Sequence, residues 1–413
     1  MGCTMADKIS RKQKIRQKNR RKRILRKLWK RYKFIIVVFA LLLILLATSG
    51  VACAVSFVDS LNNTEETGSS DVSSSENGTD NGANEDAAAG EDLTEDGQET
   101  EVTPELMEEE EAISITISAA GDCTLGTDES FDDSTNFTAV YNEQGYPGYF
   151  MEKVKHVFEQ DDLSIANLEG TLTTSEYRED KTYAFKGSPS YTAILTEGHI
   201  EAVNLANNHS HDYGTDSYND TIANLDAAGI VNFGYDRTAV IDVKGVSVGL
   251  VGIYELAKGY DAEEDLRENL NKVKAEGAEL IIVSFHWGSE KENYPDDIQK
   301  TLAHVAIDEG AHLVLGHHPH VLQGIEEYKG RNIVYSLGNF CFGGNKNPSD
   351  KDTMIFQQTF TIQGGTVLED NVKNVIPCSV SSVSSYNNYQ PRVLEGEDAQ
   401  RVLERVDTYS SGL

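Results

Sequence analysis

The sequence predicts an α/β fold, because short apolar runs typical of buried strands alternate with longer segments typical of helices. Five of these runs are followed, within two or three residues, by a side chain that can bind a metal ion. In open α/β sheets, ligands bind beyond the carboxyl ends of the strands. The pattern therefore predicts both the fold class and the place of a functional site.

The folded part is predicted to begin at Ile113, where residues 113–117 alternate between apolar and polar side chains as a half-buried strand does. Further strands are predicted over residues 163–166, 202–205, 280–285 and 313–315, and hairpins over 240–253 and 325–335. Helices are predicted over residues 149–160, 215–228, 261–275 and 295–309. Gly229 is expected to end the second helix, and Pro295 to lie in the first turn of the last one.

Charge is distributed unevenly along the chain, which has a formal net charge of −31. Residues 1–58 carry fifteen lysines and arginines against one acid, whereas residues 59–111 carry nineteen acids and neither lysine nor arginine. An acidic folded domain is a poor partner for nucleic acid and attracts cations. The five cysteines are too few and too scattered to indicate a disulfide framework.

The N-terminal region predicts a membrane anchor. A basic arm over residues 1–33 precedes an apolar segment over residues 34–58, long enough for one transmembrane helix. Positive charge on its N-terminal side places the arm in the cytoplasm, so the C-terminal domain is expected outside the cell. A cleaved signal peptide is the alternative, since Ala52-Cys53-Ala54 is similar to a cleavage site. Residues 59–111 have the composition of a disordered acidic linker.

The strongest functional signal is a group of three histidines, His317, His318 and His320, directly after the apolar run that ends at Gly316. Neutral imidazole is the commonest metal ligand in proteins, so this group predicts a metal site. Other side chains that follow strand ends complete the candidate set: Asp122, Asn167, Glu169, Asn208, His209 and His286. Mixed oxygen and nitrogen ligands favour Mn, Fe, Zn or Co over Ca or Mg. Two carboxylates, one amide oxygen and three imidazoles from this set make six ligands, more than one tetrahedral ion needs, which indicates two ions that share a bridging carboxylate.

The ordered motifs resemble those of the CapA family of poly-γ-glutamate capsule biosynthesis proteins, which is similar to the calcineurin-like metallophosphoesterases. The resemblance covers about residues 113–390 and rests on Gly121-Asp122, Asn167-Leu168-Glu169-Gly170, Asn207-Asn208-His209 with Asp212-Tyr213-Gly214, His286-Trp287-Gly288-Ser289-Glu290, Gly316–Val321 and Ser336–Phe340. Two positions depart from the wider phosphoesterase pattern. Thr124 stands where that pattern has a histidine, and Glu169 stands where it has an aspartate.

The resemblance implies a four-layer αββα fold, placed at residues 112–390. Residues 391–413 are expected to form a C-terminal tail. It implies that the metal ligands are Asp122, Glu169, Asn208, His286, His318 and His320. It also implies that His209 protonates the leaving oxygen. Asn167, His317, Asp212, Glu290 and Asn339 are further candidates for the site.

Two functions from different classes follow. The first is a membrane-anchored, extracellular, metal-dependent hydrolase-like protein that acts on an anionic polymer such as poly-γ-glutamate. The second is a non-catalytic accessory subunit of a membrane polyglutamate synthase or export complex, with other synthase subunits as partners. A surface adhesin would require the histidine motifs to be incidental.

Overall fold

The computed structural model describes residues 111–413. The predicted basic arm, the transmembrane anchor and the acidic linker up to residue 110 lie outside the described residues. Between residues 111 and 413, no helix is both long and apolar enough to cross a membrane.

The described residues form strands and helices in alternation over much of their length, so the prediction of an α/β fold is confirmed. The strands are β1 (Ile113–Thr124), β2 (Leu163–Leu168), β3 (Thr171–Leu172), β4 (Lys186–Gly187), β5 (Ala202–Asn204), β6 (Val231–Phe233), β7 (Ala239–Val243), β8 (Val246–Tyr254), β9 (Leu280–His286), β10 (Leu313–His317), β11 (Ile325–Tyr328), β12 (Arg331–Val334), β13 (Asn339–Phe342), β14 (Asp352–Gln363), β15 (Thr366–Val367), β16 (Val372–Ser379) and β17 (Arg392–Val393). The α-helices are α1 (Phe137–Gln144), α2 (Lys155–Phe158), α3 (Thr192–Glu197), α4 (Gly214–Ala227), α5 (Ala262–Ala275), α6 (Asp297–Asp308) and α7 (Gly396–Ser410), and short 3-10 helices span Pro147–Phe150, Pro189–Tyr191 and Gly259–Asp261.

Two large sheets organise these strands. The first has nine strands in the order β17-β16-β14-β1-β2-β5-β6, with β13 paired to β1 and β15 paired to β14. The second has six strands in the order β11-β12-β10-β9-β8-β7. Strands β1, β2, β5 and β6 are parallel, and so are β8, β9, β10 and β12. The carboxyl ends of four neighbouring strands therefore meet at one edge of each sheet.

Three hydrophobic clusters hold the sheets and helices together. The first joins inward side chains of both large sheets, such as Ile117 of β1 and Leu315 of β10. The second joins the first sheet to α1–α4, and the third joins the second sheet to α5 and α6. The segment that the sequence indicated as a C-terminal tail contains β17 and α7, and Val402 and Val406 of α7 are buried in the first cluster.

Local signals explain where several elements begin and end. Helix α6 begins at Asp296, whose carboxylate accepts hydrogen bonds from the backbone of Ile298 and Gln299, while the Gln299 side chain bonds back in a capping box. Pro295 therefore lies before the helix rather than in its first turn. Gly229, with φ of 74°, follows α4 as expected. In the β7–β8 hairpin, Lys244 and Gly245 both adopt positive φ at the turn.

The prediction of one helix over residues 149–160 is wrong. The segment has helical apolar spacing, but Val154 adopts φ of −130° and separates the 3-10 turn ending at Phe150 from α2. Burial of Phe150, Val154 and Phe158 in the second cluster is achieved without a continuous helix. Helix α1, which the sequence did not predict, is capped by the Asn136 side chain and ends at Gly145 with φ of 72°.

Candidate metal centre

The candidate site lies where the carboxyl ends of the parallel strands meet. Asp122 near the end of β1 is in register with Asn167 near the end of β2, and Glu169 follows directly after β2. His286 ends β9 and is in register with His317, which ends β10. All five side chains belong to residues that are at most 1% exposed. Strand pairing therefore fixes the backbone positions from which these five buried polar side chains extend.

The loop after β10 turns sharply at two histidines. His318 adopts φ of 96° and His320 adopts φ of 58°, conformations that cost energy in residues other than glycine. The turn around Pro319 brings both rings to the same side, with ring centroids 5.6 Å apart. The rings of His286 and His318 are closer still, at 4.8 Å. The histidine group thus reaches one centre from two strands of the second sheet.

Two groups of side chains are arranged so that each could hold a metal ion. Asp122, Glu169 and His320 form one group, and Glu169, His286 and His318 form the other. Within each group the ligand atoms lie within 4.8 Å of one another. Glu169 Oε1 is 3.8 Å from His320 Nε2 and 3.6 Å from His286 Nε2. Glu169 is therefore common to both groups.

The hydrogen-bonding state of these side chains fits a cation. Both carboxylate oxygens of Glu169 and Nδ1 of His318 are buried and have no hydrogen-bond partner within the part of the chain that the structure describes. Burying a carboxylate without a partner is costly, because it loses its hydration and gains nothing in return. A divalent ion bound by Glu169 and the flanking imidazoles would supply the missing interaction, so the residues present fit a metal.

Asn208 lies beside the second group. Its Oδ1 is 2.8 Å from His286 Nε2, while His286 Nδ1 faces Asn167 Nδ2 at 3.3 Å. An amide oxygen and an imidazole nitrogen at this distance are both suitable ligand atoms for one ion. Of the six ligands implied by the resemblance, the structure thus brings five into the two groups and places Asn208 in contact with one of them.

The electrostatics separate the ligands into two kinds. Burial lowers the pKa of His286 well below its usual value and that of His318 to about 4, so both rings are neutral and carry a free lone pair. The pKa of Glu169 is raised to about 8 by burial. Burial also acts to lower the pKa of His320, but the carboxylates of Glu169 and Asp122 outweigh it and raise that pKa to about 9. Metal binding competes with protons at such groups.

His209 is held beside the two groups rather than within them. Its Nδ1 is 2.7 Å from Asp212 Oδ2, and its Nε2 is 3.9 Å from Glu169 Oε1. Lys181 contacts Asp212 Oδ1 at 2.5 Å and donates to the backbone oxygen of Asn208 at 2.8 Å. Burial lowers the pKa of His209, and the hydrogen bond with Asp212 opposes that shift. With Nδ1 bonded to Asp212, Nε2 is the atom that faces the centre.

Asn167 is a hub of hydrogen bonds. Its Nδ2 donates to Asp122 Oδ1 at 2.9 Å, and its Oδ1 accepts from the side chains of Asn204 at 3.2 Å and Asn207 at 3.3 Å. Asn207 also donates to the backbone oxygen of Leu168 and accepts from the backbone of His209. Asn167 therefore fixes the orientation of Asp122.

The remaining candidates have different positions. Asn339 Oδ1 is 2.9 Å from His320 Nδ1, which leaves His320 Nε2 directed towards Glu169. His317 is buried, with Nδ1 3.5 Å from Asp122 Oδ1, but it belongs to neither group of ligands. Glu290 is exposed.

A cleft of about 550 Å³ opens onto this centre. His209, His320, Asn339 and Glu290 line it on the side of the centre. Phe131, Tyr183 and Phe185 form an aromatic wall, in which the rings of Tyr183 and Phe185 are parallel to within 4° and Phe185 contacts the His209 ring at 4.5 Å. Lys291 and Lys346 also line the cleft.

Sequence reasoning missed several residues that shape the site. Asn204 and Asn207 lie near Asn208 at the end of the same predicted strand. Their position could therefore have indicated that they belong to the site. Lys181 and Phe185 lie between predicted elements, and no feature of their sequence neighbourhood indicates that they pack against His209 and Asp212.

Comparison with known proteins identifies relatives. The family model PGA_cap, described as bacterial capsule synthesis protein, matches residues 116–344. The chain is 32% identical over 228 residues to the PGA biosynthesis protein CapA of Bacillus subtilis, covering 49% of this chain and 59% of that protein. It is 29% identical over 314 residues to the capsule biosynthesis protein CapA of Bacillus anthracis, covering 70% of this chain and 72% of that protein.

A third relative carries a different description. The chain is 29% identical over 211 residues to a probable polyglutamine synthesis accessory protein of Mycobacterium tuberculosis, covering 43% of this chain and 55% of that protein. The chain thus spans less than two thirds of the length of two of these three curated relatives.

Proposed function

Because the chain belongs to the PGA_cap family of bacterial capsule synthesis proteins, we propose that it is a metal-dependent hydrolase acting on an anionic envelope polymer such as poly-γ-glutamate. The observation that carries this proposal is the pair of ligand groups that share Glu169 beside a cleft of about 550 Å³. The number of ions, two, and their identity, from among Mn, Fe, Zn and Co, are part of the proposal.

The proposal includes a four-layer αββα fold of the metallophosphoesterase kind. Support comes from the three hydrophobic clusters, one shared by both sheets and one between each sheet and its helices. Active sites of layered α/β proteins form beyond the carboxyl ends of the parallel strands, which is where the ligand groups lie.

Each side chain has a defined part in such a reaction. Asp122, Glu169 and His320 would hold one ion, and Glu169, Asn208, His286 and His318 the other. Bound ions supply Lewis acidity and a water of lowered pKa. His209 directs Nε2 towards the centre and gives a proton to the leaving atom, while Asp212 holds its Nδ1. The cleft walls orient the polymer.

Turnover by the purified protein tests the proposed function. We expect hydrolysis of a simple phosphodiester or of γ-linked glutamate oligomers, lost with a chelator and restored by adding Mn²⁺ or Zn²⁺. The chelated protein, returned to the same buffer with Mg²⁺ only, is the control. Hydrolysis that survives thorough chelation would contradict a metal-dependent reaction.

A second candidate is favoured by the M. tuberculosis relative, whose description is that of a synthesis accessory protein. In that case the metal groups would stabilise the domain or bind polymer carboxylates without turnover. Full metal occupancy combined with no hydrolysis of any tested ester or amide would favour this candidate.

We also infer that the protein is anchored in the cell membrane with its C-terminal domain outside. The inference rests on the fifteen basic residues before the apolar segment 34–58 and on the acidic segment 59–111. Protease added to intact cells should release a soluble fragment by cutting within residues 59–111. A cytoplasmic marker protein is the control for cell integrity, and protection of the fragment until the cells are lysed would rule out this topology.

A further inference from the structure

A second cavity, of about 510 Å³, adjoins the cleft of the metal centre. The two cavities share Ser349 and Asp350 in their linings, so they meet at this segment. The second cavity is rich in cationic side chains, which come from the residue before β14, from β17 and from α7: Lys351, Arg392, Arg401 and Arg405. Arg392, Arg401 and Arg405 lie beyond the residues that the family model matches.

Two of these arginines already have carboxylate partners. Arg405 binds Asp350 through two bonds of 2.9 and 2.6 Å and also contacts Asp352 at 2.5 Å. Arg401 donates to Asp352 at 2.8 Å. The carboxylate of Asp350 at the junction of the cavities is therefore neutralised, and it does not repel an anion that passes from one cavity to the other.

Arg392 differs from its neighbours. It forms no ion pair with any residue in the described part of the chain, and its buried Nε has no hydrogen-bond partner. Strand pairing with Ser379 of β16 holds its backbone in place. Among residues 111–413, the bonds of Lys351 are to neutral oxygens, those of Asn347 and Pro348. A guanidinium held in a cavity with donors to spare is suited to a planar carboxylate, which it binds through two parallel hydrogen bonds.

The cleft on the other side of Asp350 also contains cationic side chains without an ion-pair partner among the described residues. Lys291 and Lys346 are exposed on its wall and form no ion pair with a described residue. In a chain with a net charge of −31, an anionic polymer is repelled by most of the surface. Lys291 and Lys346 offset the carboxylates of Asp132 and Glu290 in the cleft lining, and together with the cationic side chains of the second cavity they give such a polymer a locally favourable path.

We propose that the cavity around Arg392 is a subsite for a carboxylate of the same polymer chain whose neighbouring units occupy the metal cleft. The proposal rests on the proposed function for the choice of polymer. The polymer would extend from the metal centre past Lys346, over the neutralised Asp350, to Arg392. A ligand with several carboxylates along its length engages both cavities, whereas a short ligand engages one.

Binding measurements on the purified full chain test this subsite. The probes are a long γ-linked glutamate oligomer and the γ-linked dimer, both titrated calorimetrically with chelator present so that no metal-dependent turnover occurs. In the wild-type protein the long oligomer should bind more tightly than the dimer. Arg392→Ala should lower the ratio of the oligomer affinity to the dimer affinity about tenfold, the usual contribution of a charged hydrogen bond. Arg392→Lys, which keeps the charge but not the two-pronged geometry, should recover part of this ratio.

Lys274→Ala is the matched control, because it removes one positive charge from an exposed helical position that lines neither cavity. If Arg392→Ala does not fold, Arg401→Ala tests the same cavity at a more exposed arginine. An unchanged ratio in the Arg392 variant, or an equal loss in the Lys274 variant, would overturn the proposal. Because no turnover is measured, absence of hydrolysis would refute the proposed function without affecting this result.

Discussion

His318→Ala should lose both bound metal and turnover, whereas His209→Ala should keep its metal and lose turnover by about 10²–10⁴-fold, the usual contribution of a general acid. His318 belongs to a ligand group, and its Nδ1 has no hydrogen-bond partner among the described residues, so its removal deprives an ion of a donor. His209 lies outside both groups, and its contact with Asp212 leaves Nε2 facing the centre. Bound metal measured by mass spectrometry and steady-state rates on phosphodiesters separate the two roles.

The choice of substrate sharpens this comparison. A substrate with a good leaving group needs no proton from His209. The turnover rate of His209→Ala should therefore fall less on such a substrate than on one with a poor leaving group. His211→Ala is the matched control, because its ring stacks on Tyr218 at 4.5 Å rather than facing the centre. Loss of metal in His209→Ala would show that this ring is a ligand. Unchanged turnover on poor leaving groups would show that it only supports the loop before Asp212.

Glu169→Gln should bind at least one ion fewer than the wild-type protein while keeping the fold. Both ligand groups depend on the Glu169 carboxylate, and an amide is a much weaker metal ligand than a carboxylate. The size of the side chain is preserved, so packing around it is little disturbed. Metal stoichiometry of the purified variant is the measurement. Glu255→Gln is the control, since that carboxyl is also largely buried but accepts its hydrogen bond from Gly288 outside both groups.

The same variant should have a distinctive effect on stability without metal. Burial raises the pKa of Glu169 from 4.5 in the unfolded chain to about 8, so the metal-free protein loses stability as the pH rises through that interval. Glu169→Gln removes this ionisation and should flatten that part of the stability curve. Thermal unfolding of both proteins in chelator, at pH values that cover the interval from 4.5 to about 8, measures the difference. A parallel pH dependence in the two proteins, together with wild-type metal content, would show that Glu169 is not a shared ligand.

The position of the site was predictable because strand ends carry local signals. Asp122, His286 and the histidines after β10 follow apolar runs that are visible in the sequence, and parallel pairing makes such ends converge. The loop curls around Pro319 through the positive φ values of His318 and His320.

The hydrogen bonds between polar side chains of the site could not be predicted from strand ends alone. Asn167 was a possible ligand in the sequence, but in the structure its amide bonds Asp122 and two other asparagines. That difference depends on three strands and a loop being in register, which no local pattern encodes. The contacts of Lys181 with Asp212 and Asn208 likewise arise only when distant segments pack together.

Local sequence patterns also failed to predict some elements of the fold. Helical spacing of apolar residues over 149–160 predicted a helix that the packing of Phe150, Val154 and Phe158 does not require. Conversely, the sequence analysis did not predict α7, although Ala399, Val402, Leu403 and Val406 recur at helical spacing and Val402 and Val406 are buried.

The position of β1 in the first sheet affects how the protein can be made and divided. β1 comes first among the described strands, yet one of its two long edges is covered by β14, and Thr116 bonds Thr359 across 243 positions of sequence. Until the last quarter of the chain has been synthesised, that edge has unsatisfied backbone donors and acceptors next to an apolar face, the condition that favours mispairing between chains. A fragment ending at residue 344, where the family match stops, would retain every ligand discussed above and leave this edge permanently open. The shortest unit suited to expression therefore extends through β14 to the arginines of α7.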